Sequence, residues 1–216
     1  MRSNQDYKNE ALNSLSGNWA HSVLATIVVL LIVILCEAPM QILVQLQLGV
    51  VPILPLMGGT YLAMFLIAYP LIVGYANACR TLHVTGDNDV TRNSFKLGFT
   101  NYLHVVWTFI LMVIKVLLWS LLLFIPGIVK AYAYSQAIYI MVENPEMRAI
   151  DAIHKSQEMM RGHKFDLFYL QLSFIGWALL CVFTLCLGYF WFMPYVYTAQ
   201  AAFYEDLKRE SQPSDF

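Results

Sequence analysis

The stretch that most limits how this chain can fold is LLFIPGIVKAYAYSQAIYIMVENPE (Leu122–Glu146), where a Pro-Gly pair and a lysine interrupt an apolar run. From Leu103 to Val142 the chain stays largely apolar for 40 residues. As one helix that run would be roughly 60 Å long, about twice the ~30 Å hydrocarbon core of a bilayer. It must therefore fold back or bend. The flanking segments decide between the two: Arg80–Asn101 carries Arg80, Arg92 and Lys96, and Glu143–Lys164 carries Arg148, Lys155, Arg161 and Lys164. A single kinked crossing would put these basic segments on opposite faces of a membrane, against the bias of Lys and Arg toward the cytoplasmic side. Two crossings reversing at Pro126-Gly127 put both inside.

Composition supports the membrane premise. The chain is 59% hydrophobic and only 12% charged, against about 25% charged in soluble domains, and its mean hydropathy is +0.58. Several runs reach the ~18 residues that a spanning helix needs. The net charge of −1 carries no electrostatic footprint for nucleic acid. The expected fold class is all-α: a polytopic membrane helix bundle of about six crossings in three hairpins, plus one cytoplasmic amphipathic helix, all within a single membrane domain 1–216.

Along the chain, residues 1–18 are polar with Tyr7, Ala11, Leu12 and Leu15 at helical spacing, which predicts an interfacial helix. The first crossing is expected at about Trp19–Cys36. The run His21–Leu35 lacks a small-x-small cleavage pattern, so it reads as a retained anchor. Residues 38–59, cut by Pro52, Pro55 and Gly58-Gly59, fit an interfacial or re-entrant segment better than another crossing. The second crossing is expected at about Thr60–Cys79, followed by a Thr-Gly-Asp-Asn-Asp turn. The third spans about Leu103–Phe124 and the fourth about Pro126–Val142. Next comes an amphipathic helix over 145–161, with Asn144 as N-cap, Pro145 at its first position and Gly162 as its stop. The fifth and sixth crossings fall at about Phe165–Leu187 and Trp191–Tyr204, and 205–216 is a cytoplasmic tail. Of the 13 Lys and Arg, 11 lie inside in this scheme. It implies the bacterial cytoplasmic (inner) membrane with both termini cytoplasmic. Cys36 and Cys186 both approach the outer boundary, so a disulfide is possible, but free thiols are the expected state because cysteine is common as a buried apolar residue.

Three stretches carry a resemblance: IPGIVKAYAYSQAIYIMVENPE, AIHKSQEMMRGHKFDLFYLQLSFIGW and MPYVYTAQAAFYEDL. By these the chain resembles the bacterial integral-membrane family catalogued as domain of unknown function 975. That family is itself distantly similar to the membrane domain beside some glycerophosphodiester phosphodiesterases. The likeness runs from about Gly74 onward, with a looser match at LSGNWAHSVL (15–24). The matching positions are Pro126, Gly127, Lys130, Tyr132, Tyr134, Asn144, Pro145, Ser156, Gly162, Ser173, Phe174, Gly176, Trp177, Pro194 and Tyr195. Gln157 stands where the pattern has arginine, and Lys115 lies outside it. The resemblance implies a fold and no activity.

Two lysines are the candidate chemistry. Lys115, at mid-helix depth, costs about 2.5–3.5 kcal/mol on the insertion scale, and no carboxylate lies at equal depth. Lys130, one turn past Pro126, opposes its helix dipole. Either they hold an anionic lipid headgroup or substrate, or they snorkel as anchors. Tyr132, Ser135, Gln136 and Tyr139 share one face of the fourth crossing, and Tyr197, Gln200 and Tyr204 one face of the sixth; with Asn77 they line a cavity or bond between helices. The candidate binding set is thus Lys115, Lys130, Tyr132, Tyr134, Gln136 and Gln200. Gly176-Trp177 is expected to allow close helix packing, and Pro194 to shape the sixth crossing. The histidines and cysteines show no metal spacing, no nucleotide or hydrolase fingerprint occurs, and no cofactor is implied. The expected role is a non-catalytic scaffold or accessory protein with membrane lipids and a cytoplasmic protein as partners. The alternative is lipid or small-molecule handling at Lys115 and Lys130.

Overall fold

The structure, a computed structural model, describes residues 2–45, 57–62, 64–122, 124–184 and 187–211. These residues form helices and no strands. The first is α1 (Asn4–Leu15), started by Ser3: its Oγ accepts from the Asp6 N–H at 3.3 Å while Asp6 accepts from the Ser3 N–H at 2.9 Å. Its buried stripe of Tyr7, Ala11 and Leu15 packs into the bundle. Gly17, at φ 81°, turns the chain into α2 (Trp19–Gln45). Only a narrow stripe of α2 is buried, through Ser22, Ala25, Thr26 and Val29. This helix runs past Cys36 and through Pro39, so residues 38–45 are helical and not the interfacial segment expected there. Residues 46–56, the rest of the 38–59 question apart from the helical 57–59, lie outside the described set, as does the Cys36–Cys186 pairing through Cys186.

A π-helical turn (Met64–Ala68) leads into α3 (Tyr69–Thr85). Pro70 has no N–H to give the Leu66 carbonyl four residues back; the Tyr102 hydroxyl donates to that carbonyl instead, at 2.9 Å. Gly86, at φ 73°, ends α3, and the expected turn at 85–89 follows. The polar segment then forms a helix that the sequence reading lacked, α4 (Val90–Phe99), capped by Asp89. It lies back-to-back on α3. A Cβ on Gly74 would stand 1.9 Å from the Ser94 carbonyl oxygen, and one on Gly98 2.3 Å from that of Pro70.

The opening question resolves into a hairpin. α5 (Tyr102–Leu122) and α6 (Phe124–Tyr134) run antiparallel, with Lys115 beside Tyr134, Trp119 beside Lys130 and Ser120 against Gly127. Pro126 and Gly127 both lie within α6, so the chain has already reversed ahead of them. Pro126 sits in the first turn of α6, where its missing N–H is harmless. Gly127 serves contact rather than turning: a Cβ there would stand 3.0 Å from the Ser120 Cα.

The expected fourth crossing is not one helix. It breaks at Ser135–Gln136 before α7 (Ala137–Glu143). α8 (Ala149–Met159) bridges the break, since the Ser156 Oγ donates to the Ala133 carbonyl at 2.9 Å and accepts from the Gln136 N–H at 3.2 Å. α8 is the expected amphipathic helix, and it packs on the bundle, its Ile153 among Leu111, Met112, Val116 and Tyr134. Its start is later than expected. Asn144 does not N-cap it; its side-chain amide and backbone N–H both bond the Ile140 carbonyl, closing α7 instead. Pro145 lies in the intervening turn, and Arg148 takes the N-cap position. Gly162, at φ 94°, is the stop.

α9 (Lys164–Leu172) and α10 (Ile175–Phe183) form the fifth segment, bent at Ser173–Phe174. α11 (Tyr189–Ser211) closes the fold with Pro194 buried inside it. Its adjacent acids face two ways: Glu205 bonds Arg80 of α3 at 2.5 Å, while Asp206 accepts from the Tyr7 hydroxyl of α1 at 3.0 Å. Among the described residues, four stretches are long and apolar enough to cross a membrane: Trp19–Pro39, Met57–Thr85, Tyr102–Leu121 and Lys164–Phe183. α6 and α7 are each too short, and the second half of α11 carries Glu205, Asp206, Lys208, Arg209 and Glu210. Outward apolar residues such as Leu121 and Phe183, each 87% exposed, suit a lipid surround.

Gly176 does not mediate close packing, because a Cβ there meets nothing within 4 Å, and Trp177 is exposed with its ring edge toward Tyr195 at 6.4 Å. The two glycines therefore part in a melt. Gly98→Ala is expected to destabilise the detergent-solubilised protein by about 1–3 kcal/mol through overpacking, and Gly176→Ala to stay within about 0.5 kcal/mol. Thermal unfolding of both variants checks this, and equal melting temperatures would contradict it.

Candidate functional site

At the polar end of the bundle three helix ends meet. α3 contributes Arg80, α7 its last residue Glu143, and α11 contributes Tyr204, Glu205 and Lys208. The Arg80 guanidinium donates to Glu143 and, through Nε, to Glu205 at 2.5 Å. Glu143 also accepts from the Lys208 ammonium at 2.6 Å and from the Tyr204 hydroxyl. The Tyr204 ring stacks on Tyr139 at 5.0 Å and lies 5.4 Å from the guanidinium carbon. Arg80, Glu143 and Glu205 have side chains only 13–15% exposed. Two cations and two carboxylates cancel, and both Glu143 oxygens are occupied by donors. Charge-assisted bonds of this kind are the strong ones.

Burial would raise the Glu143 carboxyl, but hydrogen bonds from Lys208 and Tyr204 and the charge of Arg80 outweigh it and hold the group below the usual carboxylate value. Glu143 is therefore a fixed carboxylate at neutral pH, poorly suited to trading protons with a substrate.

Beside this network lies a groove of about 390 Å³, walled by Glu143, Tyr204 and Lys208 on one side and Lys155 and Met159 of α8 on the other. It continues past Lys155 and Met159 into a second depression of about 380 Å³ that reaches Arg161, His163 and Glu210. The lining mixes both signs, which suits a polar protein surface better than an apolar ligand. Among the described residues no cluster of three or more His, Cys, Asp or Glu side chains forms a metal site.

The sequence-predicted residues scatter. Lys115 and Lys130 are half-buried on the α5–α6 hairpin, each with its ammonium over a ring of the opposite helix: Tyr134 at 5.9 Å and Trp119 at 4.7 Å. Such contacts are worth about 0.5–2 kcal/mol and give each charge a partner that carboxylate-counting does not find. The Tyr132 hydroxyl donates to Gln171 at 2.8 Å, joining α6 to α9. Gln136 is buried at the α6–α7 break, its amide donating to the Ser135 hydroxyl at 3.0 Å. Gln200 is half-buried on α11, and Asn77 donates to the Val73 and Ile138 carbonyls. Within the candidate set, the Lys115 ammonium over the Tyr134 ring is the interaction that joins two of its members.

Residues 121–211 match the family described as Protein of unknown function (DUF975). The DUF975 match starts at the tip of the α5–α6 hairpin and ends with α11, so the residues before Leu121 that shared the sequence resemblance fall outside it. It includes Lys130, Glu143, Ser156, Tyr204 and Lys208, but neither Lys115 nor Arg80. No curated protein and no solved structure matches the chain significantly, and the likeness to a phosphodiesterase-associated membrane domain finds no counterpart among the matches.

Because the folded pKa of Glu143 is depressed, its contribution to stability is complete above the ordinary carboxylate value of about 4.3 and is lost as pH falls through the folded value. Glu143→Gln should lower stability at pH 7 by on the order of 2 kcal/mol. Melting curves at pH 7, 5, 4 and 3 should then show a smaller acid-induced loss for the variant, because Asp6 and Asp87, also depressed by hydrogen bonds, contribute to both proteins. Parallel pH profiles would contradict the assignment.

Proposed function

We propose that the chain is a multi-pass protein of the bacterial cytoplasmic membrane, both ends cytoplasmic, that acts without catalysis as a scaffold or accessory subunit. One observation carries this reading. The best-organised polar cluster is a neutral network whose carboxylate is saturated by Arg80, Tyr204 and Lys208, and it joins three helices. Such a cluster fixes geometry, and its central carboxylate is held ionised by three donors rather than free to act as a base. Beside it, α8 turns a charged face outward through Asp151, His154, Lys155 and Glu158, all exposed, while Ala152, Ile153 and Ser156 tie the helix to the bundle. A rigid, charged shelf over a polar groove is the surface on which a cytoplasmic protein would dock. The lysine-based alternative has weaker support, because the candidate residues scatter over the bundle and neither Lys115 nor Lys130 lines the grooves beside the network.

A photo-crosslinking residue placed at His154 or at Glu158 tests this in native membranes. The expected result is one discrete protein adduct at both positions, weakened by Lys155→Glu and missing when the same residue is placed at the outward apolar Phe183. Adducts to lipid alone, or the same adduct from Phe183, would overturn the docking role.

A further inference from the structure

A second concavity, away from the ion network, has the opposite character. It lies between α1, α2, α10 and α11 and holds about 390 Å³ among Leu12, Trp19, Trp177, Leu180, Trp191 and Tyr195. That volume falls at the small end of ligand pockets, about 300–1,000 Å³. The walls are almost entirely carbon, and Leu180, Trp177 and Trp191 are 52–56% exposed, so no described part of the chain covers them. Two of the flanking helices belong to the membrane-length stretches Trp19–Pro39 and Lys164–Phe183. A groove between such helices faces hydrocarbon, and what fills it there is an acyl chain.

A cation stands next to it. Lys8 of α1 lies 4.8 Å over the Phe174 ring, and Phe174 packs edge-on against Tyr195 at 5.1 Å and against Phe192 at 6.1 Å, both of which line the groove. The ammonium gives one of its three protons to the Ser173 carbonyl at 2.8 Å, and no described carboxylate pairs with it. Arg2, just ahead of α1, differs: it is matched by Glu10 and Asp206. Burial lowers the Lys8 ammonium from its ordinary value, the mark of a charge short of an anionic partner.

From the groove and, beside it, an ammonium with no described carboxylate partner, we infer a binding site for an anionic phospholipid: one acyl chain lies along Trp19, Leu180 and Trp191, and the phosphate takes the free donors of Lys8. The site lies away from Lys115 and Lys130, neither of which lines this groove or the two beside the ion network, and it is independent of the docking role of α8.

The full chain, reconstituted with equal phosphatidylglycerol and phosphatidylcholine and moved into a neutral detergent, is examined by native mass spectrometry. The wild type should retain one phosphatidylglycerol per chain in clear preference to phosphatidylcholine. Leu180→Trp, which fills the groove, should lose the retained lipid. Lys8→Gln should keep the groove but lose the preference between headgroups, with its melting temperature within a few degrees of wild type. Leu121→Trp, on the outward face of the hairpin, should behave as wild type. If Leu180→Trp does not fold, Lys8→Gln alone still decides. An unchanged phosphatidylglycerol preference in Lys8→Gln, or retention by a folded Leu180→Trp, overturns the site. So does a wild type that keeps only detergent or takes both lipids equally.

Discussion

The fold depends on one carboxylate. α7 has only seven residues, too few to hold helical structure without tertiary support, and it follows a break in the chain. Its terminal Glu143 binds the Arg80 guanidinium from one neighbour and the Tyr204 hydroxyl and Lys208 ammonium from another. α3 and α11 are thereby held in parallel register, as the edge-on contact of Tyr75 with Tyr197 at 5.3 Å shows further along. The adjacent acids of α11 extend the arrangement, Glu205 to α3 and Asp206 to Tyr7 of α1 and to Arg2 just ahead of it. Removing one partner from such a network leaves the others charged and poorly solvated, which is costlier than the net worth of the network itself.

Elsewhere the chain meets the demand that lipid makes of any backbone: polar groups freed by a break need a new partner. Pro70 frees the Leu66 carbonyl, and the Tyr102 hydroxyl takes it. The break at Ser135–Gln136 frees the Ala133 carbonyl and the Gln136 N–H, and the Ser156 hydroxyl serves both. The Ser173 carbonyl, at the bend between α9 and α10, receives the Lys8 ammonium. In each case a side chain distant in sequence repairs the ladder, so the irregular points also hold separate helices together.

Much of this was legible before any coordinates. Apolar run lengths gave the helical class and the places of the membrane-length helices, and the reversal of the Leu103–Val142 run followed from its length and its basic flanks. The details missed share a physical origin. α4 hid in a polar segment because its buried stripe is Val90, Ser94 and Gly98, which adds little apolar bulk, and Gly74 and Gly98 let it lie directly on α3. Asn144 followed by Pro145 has the composition of an N-cap, yet the longer-range Ile140 contact claimed its amide. Lys115 and Lys130 looked stranded because partners were sought among carboxylates, and the hairpin offers rings. The ion network did leave a trace. Arg80, Glu143 and Glu205 each come just after an expected even-numbered crossing, and residues in that position gather at one end of a bundle.

The most direct test of the account is a double-mutant cycle on Arg80 and Glu143, with unfolding free energies of wild type, Arg80→Gln, Glu143→Gln and the pair measured in one detergent at pH 7. If the network holds α3, α7 and α11 together, each single change costs stability and the double change costs clearly less than their sum, a coupling of at least about 1 kcal/mol, within the range for residues in one network. Additive losses, or single changes without effect, would mean that the helix ends meet without depending on their charges.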